Sequence, residues 1–261
     1  MSSLHPVSVS RHGSRRWQRY SSYAFAAGDA VCPLVAQELP KAAMSLPLAF
    51  VASGEEVVPV AVLGLQPGKN LFVAPDGRWL GGYVPAAYRG YPFALANTAD
   101  GQQVLCIDED SGLLVDGEGE AFFAEGDRPA AALNDVLNFL TQVAANRQAT
   151  RHACALLREH GVVQPWPVRL QTAGGEQAVA GLLRIDEAAL NALPAGAFVA
   201  LRDAGALSLA YCQLLSMQHL AQLGPLAQAH ERAAQAVAPQ PAAELDLEFL
   251  NQGGTISFGN L

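Results

Sequence analysis

Apolar positions along this chain follow two periodicities. Between residues 129 and 147, Leu133, Val136, Leu137, Leu140, Val143 and Ala144 recur at i, i+3, i+4 and i+7, which lays one apolar stripe along a helix. Asp127 is placed to cap that helix, and Pro129 in its first turn costs no hydrogen bond. Thr150 then opens a second helix, ended by Gly161. A third helix covers about residues 206–223, up to Gly224-Pro225, and a fourth runs to about residue 234. Shorter apolar runs predict strands at 48–52 and 57–63, joined by Ser53-Gly54-Glu55-Glu56. Two more flank the acidic segment 109–119, at 104–108 and 120–123. Residues 37–44 read as a short helical turn stopped by Pro47, and residues 1–30 as irregular chain with one or two strands.

The order of these elements repeats weakly. LPLAFVASGEEVVPVAVLGL leading to FVAPDGRWLGGY in the first half is matched by WPVRLQTAGGEQAVAGLLRI leading to FVALRDAGALSLAY in the second. Gly77, Trp79 and Tyr83 stand at a constant offset of 128 from Gly205, Leu207 and Tyr211. Coincidence in an alanine- and leucine-rich chain is the alternative to duplication. The expected fold class is α+β, with two weakly repeated strand-turn-strand/helix units packed together and a helical C-terminal third. The division is a β-rich unit over 1–128, a helical and α+β unit over 129–234, and a linker and docking tail over 235–261. That tail follows the linker AVAPQPAA and reads ELDLEFLNQGGTISFGNL, rich in large apolar residues where a disordered end is poor in them. It predicts two short strands around Gly253-Gly254, forming an arm that docks on its own body, across a homodimer, or onto a partner.

Composition narrows the function classes. Hydrophobic residues make up 51% of the 261-residue chain and charged residues 15%, well below the ~25% of an average soluble protein. The net charge of −8 argues against nucleic acid and anionic membranes as partners. Only Arg11, Arg15, Arg16 and Arg19 form a basic run, which could touch a phosphate or a partner's acidic face but reads rather as a solvated arm. Cysteines at 32, 106, 154 and 212 are too scattered for a zinc site or a disulfide scaffold. No apolar run approaches the ~20 residues that span a bilayer. The early Arg-rich stretch lacks a long enough apolar core for an export signal, so a cytoplasmic location is expected.

Several chemical motifs are nearly present. Residues 64–70, GLQPGKN, are one residue short of a P-loop and lack its Ser/Thr. Asp108, Asp110 and Gly112 suggest a calcium loop, but Gly119 stands where its final glutamate is needed. Ser216 and His219 share a helix face, which is more often structural than catalytic. No cofactor or metal is expected.

The sharpest feature is residues 70–93, NLFVAPDGRWLGGYVPAAYRGYPF, with Trp79, three tyrosines, two arginines, three prolines and four glycines. Aromatics are only 7% of the whole chain. Prolines and glycines fix its backbone, and the aromatics with arginine supply amphipathic contact surface. The candidate ligand- or partner-binding residues are Asn70, Trp79, Tyr83, Tyr88, Arg89 and Tyr91, with Arg89 as a carboxylate- or carbonyl-binding fork. His12, beside Gly13 in an expected N-terminal strand, is the seventh.

With the valine-leucine-cysteine-isoleucine-aspartate strand at 104–108, this run resembles the bacterial SapC family. His12, Pro33 with Glu38, A-x-L-G-L at 61–65, residues 117–126, Thr150 and G-L-L-R-I-D-E at 181–187 are also family-like. Phe122-Phe123 replaces the usual Leu-Phe. The resemblance carries no established activity. It implies companions such as a flavin-dependent tryptophan halogenase, a cupin-like protein or a TonB-dependent receptor system, and a name tied to a surface-layer operon. The leading expectation is a non-enzymatic binding or accessory protein that engages a peptide or partner protein. The rival is an enzyme on a peptide or aromatic substrate, with His12, Glu38, Asp108 and Arg89 converging. A structural role in surface assembly is the third reading.

Overall fold

The computed structural model describes residues 3–98, 100–172 and 175–237. The chain opens with β1 (Leu4–Pro6), the helical turn α1 (Val9–His12), β2 (Arg16–Trp17) and β3 (Val31–Pro33). After the turn α2 (Leu39–Ala42) come β4 (Leu48–Ser53), β5 (Glu56–Val62), the turn α3 (Ala86–Arg89), β6 (Phe93–Asn97) and β7 (Gln103–Asp108). Short strands β8 (Leu114–Val115) and β9 (Glu120–Ala121) precede the long helix α4 (Ala131–Glu159). Four strands follow: β10 (Val163–Pro165), β11 (Val168–Thr172), β12 (Gly175–Val179) and β13 (Leu182–Ile185). Helices α5 (Glu187–Asn191), α6 (Ala195–Asp203), α7 (Ala206–Ser216) and α8 (Leu223–Val237) come last. The fold is α+β, with antiparallel sheets and a helical C-terminal region.

Pairing begins with the hairpin β4–β5, in register from Leu48↔Ala61 to Ser53↔Glu56. It forms the middle of a five-stranded antiparallel sheet in the order β10-β13-β4-β5-β3. The sheet therefore joins strands from both sides of residue 128. Its β3 edge carries Pro33, which has no N–H to offer an incoming strand. Smaller sheets, β1-β7-β6 and β8-β2-β9, lie in the N-terminal half.

Among the described residues there are two apolar cores. The larger gathers Phe50, Val60 and Leu63 with Leu157 of α4 and Leu209 of α7. The smaller contains Trp17, Phe93, Ile107, Phe122 and Leu133. Helix α4 serves both, since 29 residues at ~1.5 Å each reach about 43 Å. Its early turns bring Leu133, Val136 and Leu140 to the smaller core, and Ala153, Cys154 and Leu157 enter the larger.

Three helix boundaries differ from expectation. The break at Thr150 is absent. Its hydroxyl donates to Asn146 O at 2.7 Å, one turn back, and accepts Ala36 N–H at 2.8 Å, so the helix runs through. Asp127 does not cap α4. It stands in the preceding turn at φ 59°, and Ala130 takes the cap position. Gly224-Pro225 opens α8 instead of stopping α7, because a first-turn proline gives up no helical hydrogen bond.

The repeat read from the letters corresponds to hairpins β4–β5 and β11–β12, which start 120 residues apart, but the following Phe-Val segments differ. Val73 forms an isolated bridge to Trp79, whereas Phe198 and Val199 lie in α6. A shorter repeat, not apparent from the letters alone, stands 50 residues apart, FVAPDGRWL at 72–80 and FFAEGDRPA at 122–130. Each closes a turn by a bridge, Val73↔Trp79 and Phe123↔Pro129. Each has matching hydrogen bonds, Ala74 N–H to Arg78 O at 2.8 Å and Ala124 N–H to Arg128 O at 2.7 Å. Phe72 anchors the first in the larger core and Phe122 the second in the smaller.

Among the described residues no single helix is long and apolar enough to cross a membrane. The bent pair Ala195–Asp203 and Ala206–Gln235 passes by length and composition, but its Leu201, Leu209, Ala210 and Leu223 are buried in the larger core. The expected tail strands and docking arm at 244–261 lie outside the described residues.

Candidate functional site

The segment 70–93 begins with a buried clamp. Asn70 Nδ2 donates to Ala26 O at 3.0 Å, and its Oδ1 accepts Phe72 N–H at 2.9 Å. The turn that follows requires glycine at 77. Its φ is +84°, and a Cβ there would stand 2.0 Å from Ser22 Oγ. Trp79 stacks on Phe72 at 5.8 Å and meets Tyr88 edge-on at 5.8 Å. Its Nε1 donates to Tyr83 O at 2.9 Å, which closes the Gly81-Gly82 turn.

Pro85 then starts α3, and the centre of the site is the carboxylate of Glu38, only 5% exposed. Oε1 accepts Val35 N–H at 2.8 Å. Oε2 accepts Ala86 N–H at 2.7 Å and the Tyr83 hydroxyl at 3.0 Å. Three donors thus converge on its two oxygens, both of which can accept. The Tyr83 hydroxyl in turn accepts Arg89 Nη2–H at 3.0 Å. Burial, followed by the charge of Glu38, pushes the Tyr83 phenol up to about 12, so it stays a donor at neutral pH.

Arg89 is exposed, yet its orientation is fixed. The guanidinium lies over the Tyr83 ring at 5.7 Å and the Phe139 ring of α4 at 5.1 Å. Close packing of α3 on α4 is possible because residue 90 is glycine; a Cβ there would meet Leu140 Cδ2 at 2.7 Å. Arg11, Arg15, Arg19, Arg78, Arg151 and Arg202 each pair with a carboxylate. Among the described residues Arg89 and Lys41 have none. They share a cavity of about 260 Å³ with Gln37, Phe139, Gln142 and Asn146. A second cavity, of about 310 Å³, adjoins it through Val35, Glu38 and Val143 and adds Val57, Pro59 and Arg147. The residues lining the first offer charge, amides and an aromatic face.

A profile of the SapC family matches residues 7–223. The chain belongs to the SapC family. No curated protein and no solved structure matches it. The matched span includes every residue of the Glu38–Tyr83–Arg89 cluster.

In this SapC protein the expected site residues divide three ways. Tyr83 and Arg89 meet at the cavity with Glu38. Asn70 and Trp79 hold the hairpin in shape beneath it. On the other side of α3, the buried Tyr88 donates its hydroxyl to Asp29 at 3.0 Å, and burial raises its phenol. Beside it Tyr91 stacks on Phe25 at 3.8 Å. Those residues border a wider hollow of about 710 Å³ with Asp108 and Asp110. The 108–112 segment itself is a 3₁₀ turn in which Asp108 accepts Asp110 N–H at 3.2 Å.

His12 is elsewhere. It lies on α1, not on a strand, and is fully buried against Phe122, with ring centroids 5.0 Å apart. Its Nδ1 accepts Ser8 N–H at 3.2 Å, which assigns the proton to Nε2, facing Glu109 Oε1 at 3.2 Å. Burial lowers the imidazole, and Arg11 holds the Glu109 carboxyl at about 2. The four-residue convergence of the enzyme reading therefore does not form: Glu38 and Arg89 come together, while His12 and Asp108 do not join them. Ser216 and His219 bind backbone separately, Ser216 Oγ to Gln213 O at 2.7 Å and His219 Nε2 to Ala43 O at 3.0 Å.

Lys41, Phe139, Gln142 and Asn146 were not singled out by the sequence. Phe139 carried the usable signal, because it is an aromatic off the apolar stripe of its own helix. Gln142 and Asn146 follow it at i+3 and i+7 on the same face.

Proposed function

We propose that this SapC protein is a non-enzymatic binding or accessory protein that engages a peptide or partner protein. The engaging face is built by α3, α2 and the middle of α4. The observation that supports it is Arg89, an exposed guanidinium fixed between two rings and a phenol, with no carboxylate partner among the described residues. Arginines held this way serve recognition, since little side-chain freedom is lost when they bind. The companions implied by family resemblance, a halogenase, a cupin-like protein or a TonB-dependent receptor system, are the first candidates.

The test is affinity capture from the native host with wild type and with Arg89→Ala/Lys41→Ala. Both side chains are exposed, so the double variant folds. Trp79→Ala is unsuitable because the indole is part of the hairpin. Proteins retained by the wild type should be lost from the double variant. Equal recovery on both, with matched circular dichroism, would overturn the reading.

A further inference from the structure

We infer that the two adjoining cavities on α4 receive the C-terminal residue of a peptide or partner protein, its free carboxylate at Arg89 and its apolar side chain beside Val143. This deepens the binding reading above and rests on it.

The first half follows from charge and geometry. Arg89 uses one Nη2 hydrogen on the Tyr83 hydroxyl, leaving guanidinium N–H groups to fork onto an incoming carboxylate. Its plane is set by Phe139 and Tyr83, so the fork is oriented before the ligand arrives. Lys41 supplies a second cation, and Gln142 and Asn146 supply amides. Asn146 spends its Oδ1 on Gln37 N–H at 3.0 Å, which turns its amide nitrogen toward other acceptors.

The ligand's charge is also constrained. Two cations and the Glu38 carboxylate leave the cavity with one net positive charge. A single carboxylate neutralises that. A phosphate dianion would leave surplus negative charge in that first cavity, beside the buried Glu38, and would bring no apolar group to the neighbouring one.

The second half follows from the neighbouring cavity. It shares Val35, Glu38 and Val143 with the first, so one residue can occupy both. Val35, Val57, Pro59 and Val143 give it apolar walls, and about 310 Å³ accepts a leucine-sized side chain. Arg151 at its rim is paired with Glu56 at 3.2 Å, while Arg147 adds a further positive charge. A carboxylate next to an apolar side chain is the arrangement found at a peptide's C-terminus. An internal aspartate or glutamate carries its charge on its side chain, so the apolar group would have to come from a different residue.

The experiment is an NMR amide titration of the full chain with an acetylated pentapeptide ending in free leucine. The expected shifts map to Val35, Glu38, Ala86 and Asn146. Amidating the peptide should weaken binding about tenfold or more. Ending it in glycine should weaken it about tenfold. Arg89→Ala should abolish the preference for acid over amide, and Val143→Trp the preference for leucine over glycine. Equal binding of acid and amide, shifts elsewhere, or displacement by inorganic phosphate at lower concentration would each overturn the inference. N-acetyl-leucine binding as tightly as the pentapeptide would overturn the peptide assignment in favour of a free acylated amino acid. Host-protein capture that depends on Arg89 and Lys41, without a response to the pentapeptide, would refute this inference alone. The reverse pattern would refute the partner-protein reading alone.

Discussion

Replacing Glu38 with glutamine changes one atom at the centre of the site. The carboxylate accepts three hydrogen bonds, two on Oε2 and one on Oε1. Glutamine has one oxygen, and its best placement keeps Ala86 N–H and the Tyr83 hydroxyl. Its NH₂ group then faces Val35 N–H, donor against donor. One buried donor is left unsatisfied, at about 1–3 kcal/mol. The two remaining bonds fall from charge-assisted to neutral strength, roughly half. Relief from burying a charge offsets part of this. The net expectation for Glu38→Gln is a loss of about 2–4 kcal/mol, which for a chain of this size lowers the melting temperature by roughly 5–12 °C. Urea unfolding followed by circular dichroism measures it, with Tyr83→Phe as a milder control of about 1 kcal/mol. A Glu38→Gln protein within about 0.5 kcal/mol of wild type would refute the reasoning, because the carboxylate's charge and second oxygen would then be dispensable.

Gly77→Ala should destabilise by about 1–3 kcal/mol in the same assay, from strain at positive φ and collision with Ser22. Acidification should weaken the fold through His12 and Glu109 in the same direction. Both folded-state values lie below the ordinary ones of 6.5 and 4.5, so their stabilisation is complete above those values. It is lost as pH falls below 6.5 for His12, and from 4.5 toward about 2 for Glu109. Urea midpoints between pH 7.5 and pH 4 should fall in wild type and fall less in His12→Asn. Parallel curves for the two proteins would exclude His12 as a source.

What could be read from the letters was local. The β4–β5 hairpin was legible because two apolar runs flank Ser53-Gly54, and β7 because its run is short and apolar. The helical character of 131–147 was legible from its stripe. Continuity through Thr150 was not, since a residue that caps by type here satisfies its hydroxyl within the helix and against Ala36, 114 residues away. The site followed the same rule. Tyr83 and Arg89 stood out because the motif concentrates them. Glu38 was expected to converge with His12, Asp108 and Arg89, and of these only Arg89 joins it, while its three donors come from Val35, Tyr83 and Ala86. The α4 side of the cavity remained hidden because an amphipathic stripe assigns the opposite face to solvent by default. Only the tertiary approach of α3 makes Phe139 a wall.

Helix α4 also has a mechanical role. Its early turns are held by the smaller core and its late turns by the larger, so the stretch around Phe139, Val143 and Asn146 spans the joint between two anchored ends. Both cavities open against that stretch. At its middle the spine is flanked by hollows where its ends are flanked by packed side chains. An occupant of the proposed site would act as a splint, filling the gap and bracing α2 and α3 against the helix. The same helix that fills two cores would then also carry the bound residue, so one element would join all three.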